Sequence, residues 1–387
     1  MARTSDTTPD DAGPTGSVAS DLDGVIRQAI AERGGWLAFD AFMALALYQP
    51  GLGYYANHRR KFGSMPSSGS DFVTAPELSP LFARALAVQV AQALGAGGSA
   101  RLMEFGAGSG ALAAGLIDAL DAAGVPLEQY AIVDLSGTLR QRQQARLARF
   151  GDRVQWLDAL PLAFDGVVLG NELLDAMPVQ LLAFDGQDWF ERGVAVDDGS
   201  TNPAPNAAPR FVWQDRPTLL RPPLDAAFVP GSVTEIHPQA EAFIATLASM
   251  LRRGVAIFID YGFPEAEFYL PQRHGGTLMC HQAHRADADP LVDVGAKDIT
   301  AHVNFSGIAL AGQNAGLEVI GYTSQARFLI NCGLVDLLEA ASLAERAMAQ
   351  KLINEHEMGE LFKVIAFSCG VQFDPLGFAQ GDRTHRL

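Results

Sequence analysis

Three glycines and an acid form the segment of this sequence whose residue types point most clearly to a chemical role. An apolar run from Arg101 ends in Glu104, and Gly106, Gly108 and Gly110 follow before a stretch rich in alanine and leucine. Glycine permits positive φ angles and lets a ligand approach the backbone, and the free N–H groups at a helix start face such a ligand. The pattern therefore predicts a strand, a turn and a helix that together hold a nucleotide-like small molecule.

The glycine turn alone does not identify that ligand, because several cofactor classes bind to such turns. Its glycines are spaced more tightly than those of the G-x-G-x-x-G fingerprint of dinucleotide sites. The carboxylate of Glu104 would also repel a pyrophosphate. S-adenosylmethionine carries a sulfonium and an ammonium group and no phosphate, so it suits this acid. We therefore favour S-adenosylmethionine and keep a nicotinamide dinucleotide as the alternative.

Acids also stand at the ends of other predicted strands. Asp134 ends the second strand about 20 residues beyond the last glycine, where an acid can accept both ribose hydroxyls, or else caps the helix that follows. Asn171 and Glu172 follow the fourth strand, and Asp260 ends the fifth. In an open α/β sheet, ligands bind beyond the carboxyl ends of the strands. These side chains are therefore expected around one cleft.

Strands alternate with helical patterns along most of the chain, which predicts an α/β fold with a doubly wound, mostly parallel sheet. The strands of this pattern are predicted at 101–105, 130–134, 153–157, 165–169 and 255–262, with helices at 109–121, 136–149 and 238–251. Outside it we predict helical structure at 21–57 and 79–94, a hairpin at 179–194, mostly loop at 195–210 and 263–304, helices near 305–316 and 335–353, and strands near 317–322 and 363–369.

The predicted elements divide the chain into three regions. Residues 1–19 are rich in Pro, Gly and Asp and are expected to be a disordered tail. Residues 20–95 form an N-terminal helical segment with a Gly- and Ser-rich loop at 57–71 that we interpret as a lid. Residues 96–387 form the α/β domain, with insertions at about 179–235 and 263–304.

The composition of the chain excludes several classes of function. The 387 residues carry a net charge of −16, which argues against nucleic-acid binding and favours a basic partner. The three cysteines are too few for a disulfide framework, and no stretch has the length and hydrophobicity of a membrane span. The tail has no signal-peptide or transit-peptide pattern, so we expect a cytoplasmic, bacterial protein. Cys280, His281 and His284 have no second ligand group at zinc-like spacing, so we expect no metal site.

Seven segments in order give the chain a resemblance to a known family. They are Ala46–Tyr55, Asp71–Ser79, Glu104–Gly110, Asn171–Val179, Ile259–Gly262, Asp298–Phe305 and Met358–Val364. In these segments the chain resembles the MidA-like S-adenosylmethionine-dependent methyltransferases, a family that includes a mitochondrial complex I assembly factor that methylates a protein arginine.

The resemblance implies a Rossmann-like class I methyltransferase fold that binds S-adenosylmethionine. In it, Glu104 pairs with the methionine ammonium group and Asp134 with the ribose. The segment from Trp156 to Asp158 borders the adenine, with a tryptophan that belongs to the core as the alternative. The segment 71–77 folds over the cofactor, or else it is a turn made rigid by proline before a helix that Ser79 caps. The complete set of implied cofactor-binding residues is Thr74, Pro76, Glu77, Glu104, Gly106, Ala107, Gly108, Asp134, Leu135, Asp158 and Asn171.

Asn171 and Glu172 are the candidates for the methyl-transfer step, with Asp175 as support. A guanidinium is protonated and planar, so its methylation needs carboxylates that localise its charge and aim one nitrogen at the methyl donor. The alternative is that Asn171 and Glu172 only shape the turn through backbone hydrogen bonds. Asp298 and His302 lie in a loop that is expected to reach the cleft, where a histidine would relay a proton; the alternative is that His302 is structural.

The sequence thus predicts an S-adenosylmethionine-dependent methyltransferase that modifies arginine in a protein substrate. The alternative is an assembly factor that keeps the cofactor pocket and acts mainly by binding a partner protein. The hairpin at 179–194 and the C-terminal helices offer surfaces for a homodimer.

Overall fold

The computed structural model describes residues 15–57, 74–197, 209–224, 227–282 and 285–387. Its helices are α1 Thr15–Glu32, α2 Phe39–Tyr48, α3 Ala75–Leu78, α4 Pro80–Gly97, α5 Ala111–Ala122, α6 Gly137–Leu147, α7 Pro238–Met250, α8 Glu265–Phe268, α9 Phe305–Asn314, α10 Gln325–Asn331, α11 Leu334–Ala340 and α12 Leu343–Ile353. Its strands are β1 Leu37–Ala38, β2 Arg101–Phe105, β3 Gln129–Val133, β4 Val154–Leu157, β5 Phe164–Asn171, β6 Gln180–Phe184, β7 Trp189–Asp197, β8 Arg210–Pro217, β9 Val233–Ile236, β10 Leu251–Phe263, β11 Met279–Gln282, β12 Arg285–Asp287, β13 Asp298–Thr300, β14 Val303–Asn304, β15 Glu318–Ser324 and β16 Phe362–Cys369.

The central sheet has the strand order β15-β16-β10-β5-β2-β3-β4, and β14 adds to the end of β10. The strands from β10 to β4 run parallel to their neighbours, whereas β16 is antiparallel to both β10 and β15. The chain builds outward from β2 through β3 to β4 and then returns to β5 on the other side of β2. The strand order therefore reverses between β2 and β5, which is where an open α/β sheet binds ligands.

Helices cover both faces of this sheet because successive side chains of a strand point to opposite faces. On β2, Leu102 packs into a layer formed by α4, α5, α10, α11 and α12, whereas Met103 packs into a layer that contains α7 and α9. The predicted α/β class with a doubly wound, mostly parallel sheet is confirmed.

The N-terminal helices pack against a second, antiparallel sheet. Its order is β1-β7-β6-β9, and β8 pairs with β7. Leu22 and Ile26 of α1 and Phe42 of α2 lie in one apolar cluster with Leu181 of β6 and with Val179, which precedes β6. This cluster holds the N-terminal segment against the insertion that follows β5, so both segments border the cleft at the carboxyl end of the central sheet.

Several local predictions were wrong in detail. The helical segment predicted at 21–57 breaks at Gly34 and Gly35, which both have positive φ. The helix predicted at 335–353 is two helices, because Ser342 starts α12 with a capping box to Glu345. The segment 263–304, predicted as mostly loop, contains a small sheet of order β12-β11-β13.

Strands β7 and β8 also extend into the segment 195–210, which we predicted as loop. Residues 15–19, predicted as part of the disordered tail, belong to α1 instead. The rest of that predicted tail and the predicted lid at 57–71, except for residue 57, lie outside the described residues.

Candidate functional site

A cavity of about 880 Å³ opens beyond the carboxyl ends of β2, β3 and β5. Its walls come from the glycine turn after β2, the segments after β3 and β4, the turn after β5, and Tyr48 and Tyr55 of the N-terminal segment. The cavity therefore lies at the reversal of strand order, as the strand-end residues predicted.

The glycine turn is shaped by three positive φ angles. Gly106, Gly108 and Gly110 have φ of 66°, 54° and 80°, a region that other residues rarely adopt. A β-carbon at Gly106 would lie 3.2 Å from Cδ1 of Leu173, so the turn after β5 packs closely on it. Helix α5 begins directly after Gly110, so its free N–H groups lie at this edge of the cavity.

Glu104 lies under this turn and is only 2% exposed. The hydroxyl of Tyr130 donates a hydrogen bond to its Oε2 atom over 2.6 Å. Burial raises the pKa of Glu104 to about 7, against the opposing effect of the Tyr130 hydrogen bond. A cation beside this carboxyl would favour its charged form, so the site is suited to an ammonium group.

Asp134 follows β3 and is held by two donors. The backbone N–H of Ser136 donates to Oδ1 over 2.8 Å, and the amide of Gln143 donates to Oδ2 over 2.7 Å. Burial raises the pKa of Asp134, and these two hydrogen bonds act against that rise. Ser136, rather than Asp134, is the N-cap of α6, since its side chain accepts from the N–H of Leu139. The cap of α6 is therefore supplied without Asp134, which was the alternative to a contact between Asp134 and a ligand.

The wall beside Asp134 is apolar. Leu135 lines the cavity and is 81% exposed, and Leu160 lines it from the segment after β4. Asp158 also lines the cavity, and its carboxylate pairs with Arg140. Trp156 is not part of the lining, and its indole N–H donates to Gln143 over 2.9 Å, which favours the alternative that this tryptophan is structural.

The end of β5 and the turn after it bring Asn171, Glu172 and Asp175 to one side of the cavity. Glu172 has a positive φ of 52°, which is rare for a residue other than glycine. One buried carboxylate holds the turn: Oδ2 of Asp260 accepts from the N–H groups of Leu173, Leu174 and Asp175 at 3.0, 2.8 and 3.3 Å.

Three carboxylates line this side of the cavity, namely those of Glu172, Asp175 and Asp298. Oε1 of Glu172 accepts from the side chain of Asn171 over 3.1 Å and from the N–H of Ala75 over 3.3 Å. Burial and the neighbouring Asp175 raise the pKa of Glu172 to about 8. Burial also raises the pKa of Asp175 to about 6, although Tyr261 donates a hydrogen bond to it.

Tyrosines from the N-terminal segment complete this acidic side. The rings of Tyr48 and Tyr55 stack with centroids 5.6 Å apart, and both line the cavity. The hydroxyl of Tyr55 donates to Asp298 over 2.9 Å, and that of Tyr48 donates to the carbonyl of Ala176 over 2.7 Å. Carboxylates and aromatic faces together make this side suited to a cation.

The structure places most of the predicted cofactor residues on the cavity wall, including Thr74 and Pro76 from the predicted lid segment. Glu77 is the exception, and its contact with a ligand stays a prediction. Its carboxylate instead forms an ion pair with Arg146 over 2.9 Å and a hydrogen bond with Ser109, and it is not part of the lining. Asp71, Phe72 and Val73 lie outside the described residues.

His302 was expected to reach the cleft and does not. Its ring packs on Tyr261 and Phe263, with centroids 5.1 and 5.3 Å away, and it is not part of the lining. Burial lowers the pKa of His302 to about 4. It is therefore neutral at physiological pH and packs within the protein beside the cleft.

Sequence reasoning missed several lining residues, among them Tyr48, Tyr55, Gln239 and Phe243. The two tyrosines lie in the family-like segment Ala46–Tyr55, so a signal for them was present. Gln239 and Phe243 come from α7, and nothing in their local sequence connects that helix to the cleft.

The buried carboxyl groups predict an unusual dependence of stability on pH. Because the folded pKa of Glu172, about 8, exceeds its ordinary value, the folded state binds this proton more tightly than the unfolded chain. The stability from that proton is fully present below the ordinary pKa and is lost as pH rises through about 8. We expect Glu172→Gln to increase the free energy of unfolding over wild type by roughly 2–4 kcal/mol at pH 9 and by little at pH 5.

Urea unfolding of the ligand-free protein at the two pH values measures this difference. Glu128→Gln, which changes an exposed acid, is the control and should show the same small effect at both. A Glu172→Gln effect that is equal at both pH values contradicts the expectation.

Two kinds of feature are absent from the described residues. None of the helices there combines the length and apolar character that crossing a membrane requires. Within the same ranges, no three His, Cys, Asp or Glu side chains are grouped so as to hold a metal ion.

Comparisons with known proteins agree with this site. Residues 82–323 match the family model described as "Putative S-adenosyl-L-methionine-dependent methyltransferase". A Burkholderia thailandensis protein solved bound to S-adenosyl-homocysteine is 51% identical, with a TM-score of 0.91 over 98% of this chain and 100% of that chain. The mitochondrial protein arginine methyltransferase NDUFAF7 of Danio rerio is 28% identical over 83% of this chain and 81% of its own length. The Drosophila melanogaster homologue is also 28% identical, over 85% of this chain and 81% of its own length. The chain therefore belongs to this family of S-adenosyl-L-methionine-dependent methyltransferases.

Proposed function

We propose that this methyltransferase modifies arginine in a protein substrate. The observation that carries the proposal is the acidic side of the cavity, where Glu172, Asp175 and Asp298 face the same space as the glycine turn. A guanidinium is a planar cation with five N–H donors, and carboxylates pair with it through parallel hydrogen bonds. The methyl donor would lie in the same cavity, beside Glu104 and Asp134.

The residues of the other side fit S-adenosylmethionine. Asp134 would accept the ribose hydroxyls, and the buried Glu104 would pair with the ammonium group. The exposed side chain of Leu135 would cover the adenine, and the backbone at Gly106, Ala107 and Gly108 would approach the ligand closely. The Oδ1 atom of Asn171 is buried without a hydrogen-bond partner in the described residues, so it remains available to a ligand donor. Bound S-adenosylmethionine supplies an electrophilic methyl group.

The acidic side would bind and orient the acceptor. Glu172 and Asp175 would localise the guanidinium charge and aim one nitrogen across the cavity, and the stacked faces of Tyr48 and Tyr55 would add cation–π attraction. The acceptor nitrogen must lose a proton as it gains a methyl group. Glu172 would take that proton, because the guanidinium beside it would favour its charged form and place a carboxylate next to the acceptor nitrogen as general base.

Two further observations support an arginine in a protein as the acceptor. The chain carries a net charge of −16, which attracts basic segments. The fish and fly relatives are named protein arginine methyltransferases.

The test is to incubate the purified protein with methyl-labelled cofactor and a cell lysate, and then to hydrolyse the labelled proteins. We expect the label in methylarginine, and we expect Asp134→Ala to abolish it. Label confined to another amino acid or to small molecules would overturn arginine as the acceptor. No labelled protein despite tight S-adenosylhomocysteine binding would favour the assembly-factor alternative.

A further inference from the structure

A buried glutamine connects the two strand ends that bind the cofactor. Gln143 lies on α6 between Leu139 and Leu147, four residues from each, on the buried face of the helix. It is 0% exposed and is not part of the cavity lining. A polar side chain in an apolar stripe must find hydrogen-bond partners inside the protein.

Among the described residues, the three partners of Gln143 belong to the cofactor side of the cleft or support it. Its Nε2 atom donates to Oδ2 of Asp134 over 2.7 Å and to the carbonyl of Gly108 over 3.0 Å. Its Oε1 atom accepts from the indole N–H of Trp156 over 2.9 Å. A carboxylate and a carbonyl only accept, and an indole N–H only donates, so these partners determine the orientation of the amide.

The position of α6 makes these bonds a link between two chain segments. The Cα atom of Gln143 would lie 3.5 Å from a β-carbon at Gly110, so the helix packs directly on the glycine turn. Through one amide the turn after β2 is joined to the carboxylate after β3. Glutamate could not donate to either acceptor, and methionine could form none of the three bonds.

We propose that Gln143 is a positioning residue for S-adenosylmethionine. Gln143 fixes the position of the Asp134 carboxylate relative to the Gly108 backbone. It acts through those two groups and does not touch the ligand. The inference rests on the proposed role of Asp134 in binding the ribose.

The test measures S-adenosylhomocysteine binding by calorimetry and thermal unfolding without ligand. Gln143→Met keeps the volume of the side chain and removes its hydrogen bonds, so we expect affinity to fall by roughly tenfold or more. Gln89→Met is the matched control, because Gln89 is also buried and hydrogen-bonded but contacts Gly377 and Gln92 on the far side of α4. It should lower the unfolding temperature and leave affinity within about twofold of wild type, as expected for lost hydrogen bonds that do not support the site.

Equal affinities for Gln143→Met and Gln89→Met would overturn the inference. Asp134→Ala, measured in parallel, separates the two possible failures: if it binds as wild type, the role of Asp134 is wrong, and if only Gln143→Met binds as wild type, the role of Gln143 is wrong. If Gln143→Met does not fold, Trp156→Phe decides, since it removes the donor that orients the amide and keeps an aromatic ring, although a smaller one, at that position. We expect it to weaken binding about threefold, as for the loss of one neutral hydrogen bond, and unchanged binding would count against the proposal.

Discussion

Glu172→Gln is expected to lower kcat for methyl transfer by about 10²–10⁴-fold, the usual range for loss of a general base. The variant keeps the shape of the side chain and the oxygen that accepts from Asn171 and Ala75. It removes the charge that pairs with the guanidinium and the group that takes its proton. Binding of S-adenosylhomocysteine should stay within about threefold of wild type, because Asp134 and Glu104, the groups proposed to hold the cofactor, are unchanged and a preserved hydrogen bond costs little.

The control for this variant is Glu235→Gln, which changes another buried acid. Glu235 accepts from the N–H groups of Thr277 and Leu278 and lies outside the cavity lining. It should retain activity measured well below its unfolding temperature. If the two variants lose activity equally, or if Glu172→Gln methylates at the wild-type rate, then Glu172 only shapes the turn.

The parts of the site that the sequence predicted are those set by local chain geometry. A strand, a glycine turn and a helix within about ten residues bring Glu104 and Gly108 together without help from the rest of the fold. Asp134 follows from the spacing of the next strand. The class of fold follows from the alternation of strands and helices, and it is confirmed.

The parts that the sequence missed depend on contacts between distant segments. Glu77 is an acid that lies near the cleft, but its carboxylate forms an ion pair with Arg146, which is far along the chain, and does not line the cavity. Trp156 donates to Gln143 and does not line the cavity, and neither orientation is set by neighbouring residues. Gln143, by contrast, stands at helical spacing between two leucines, so the sequence itself indicated a buried polar side chain there. The cytoplasmic location and the homodimer stay predictions.

Asp260→Ala is expected to lower activity at least about 10²-fold, because small displacements of catalytic groups have effects of that size. It should also reduce the free energy of unfolding by roughly 2–4 kcal/mol, since buried N–H groups lose their acceptor. Asp260 is 1% exposed and binds three consecutive N–H groups of the turn that carries Glu172. The positive φ of Glu172 needs such support, because the backbone does not favour it.

Asp260→Asn distinguishes positioning from general stability. Its side-chain oxygen can still accept from Leu173 and Leu174, so activity should recover to within about tenfold of wild type, as expected where the acceptor is kept and only its charge is lost. Methyl transfer measured well below each unfolding temperature, together with urea unfolding, gives both quantities for each variant. Equal activity losses in the alanine and asparagine variants would mean that the site requires the charge of Asp260 and not its hydrogen bonds to the turn. A large stability loss with normal activity would mean that the turn holds Glu172 without it.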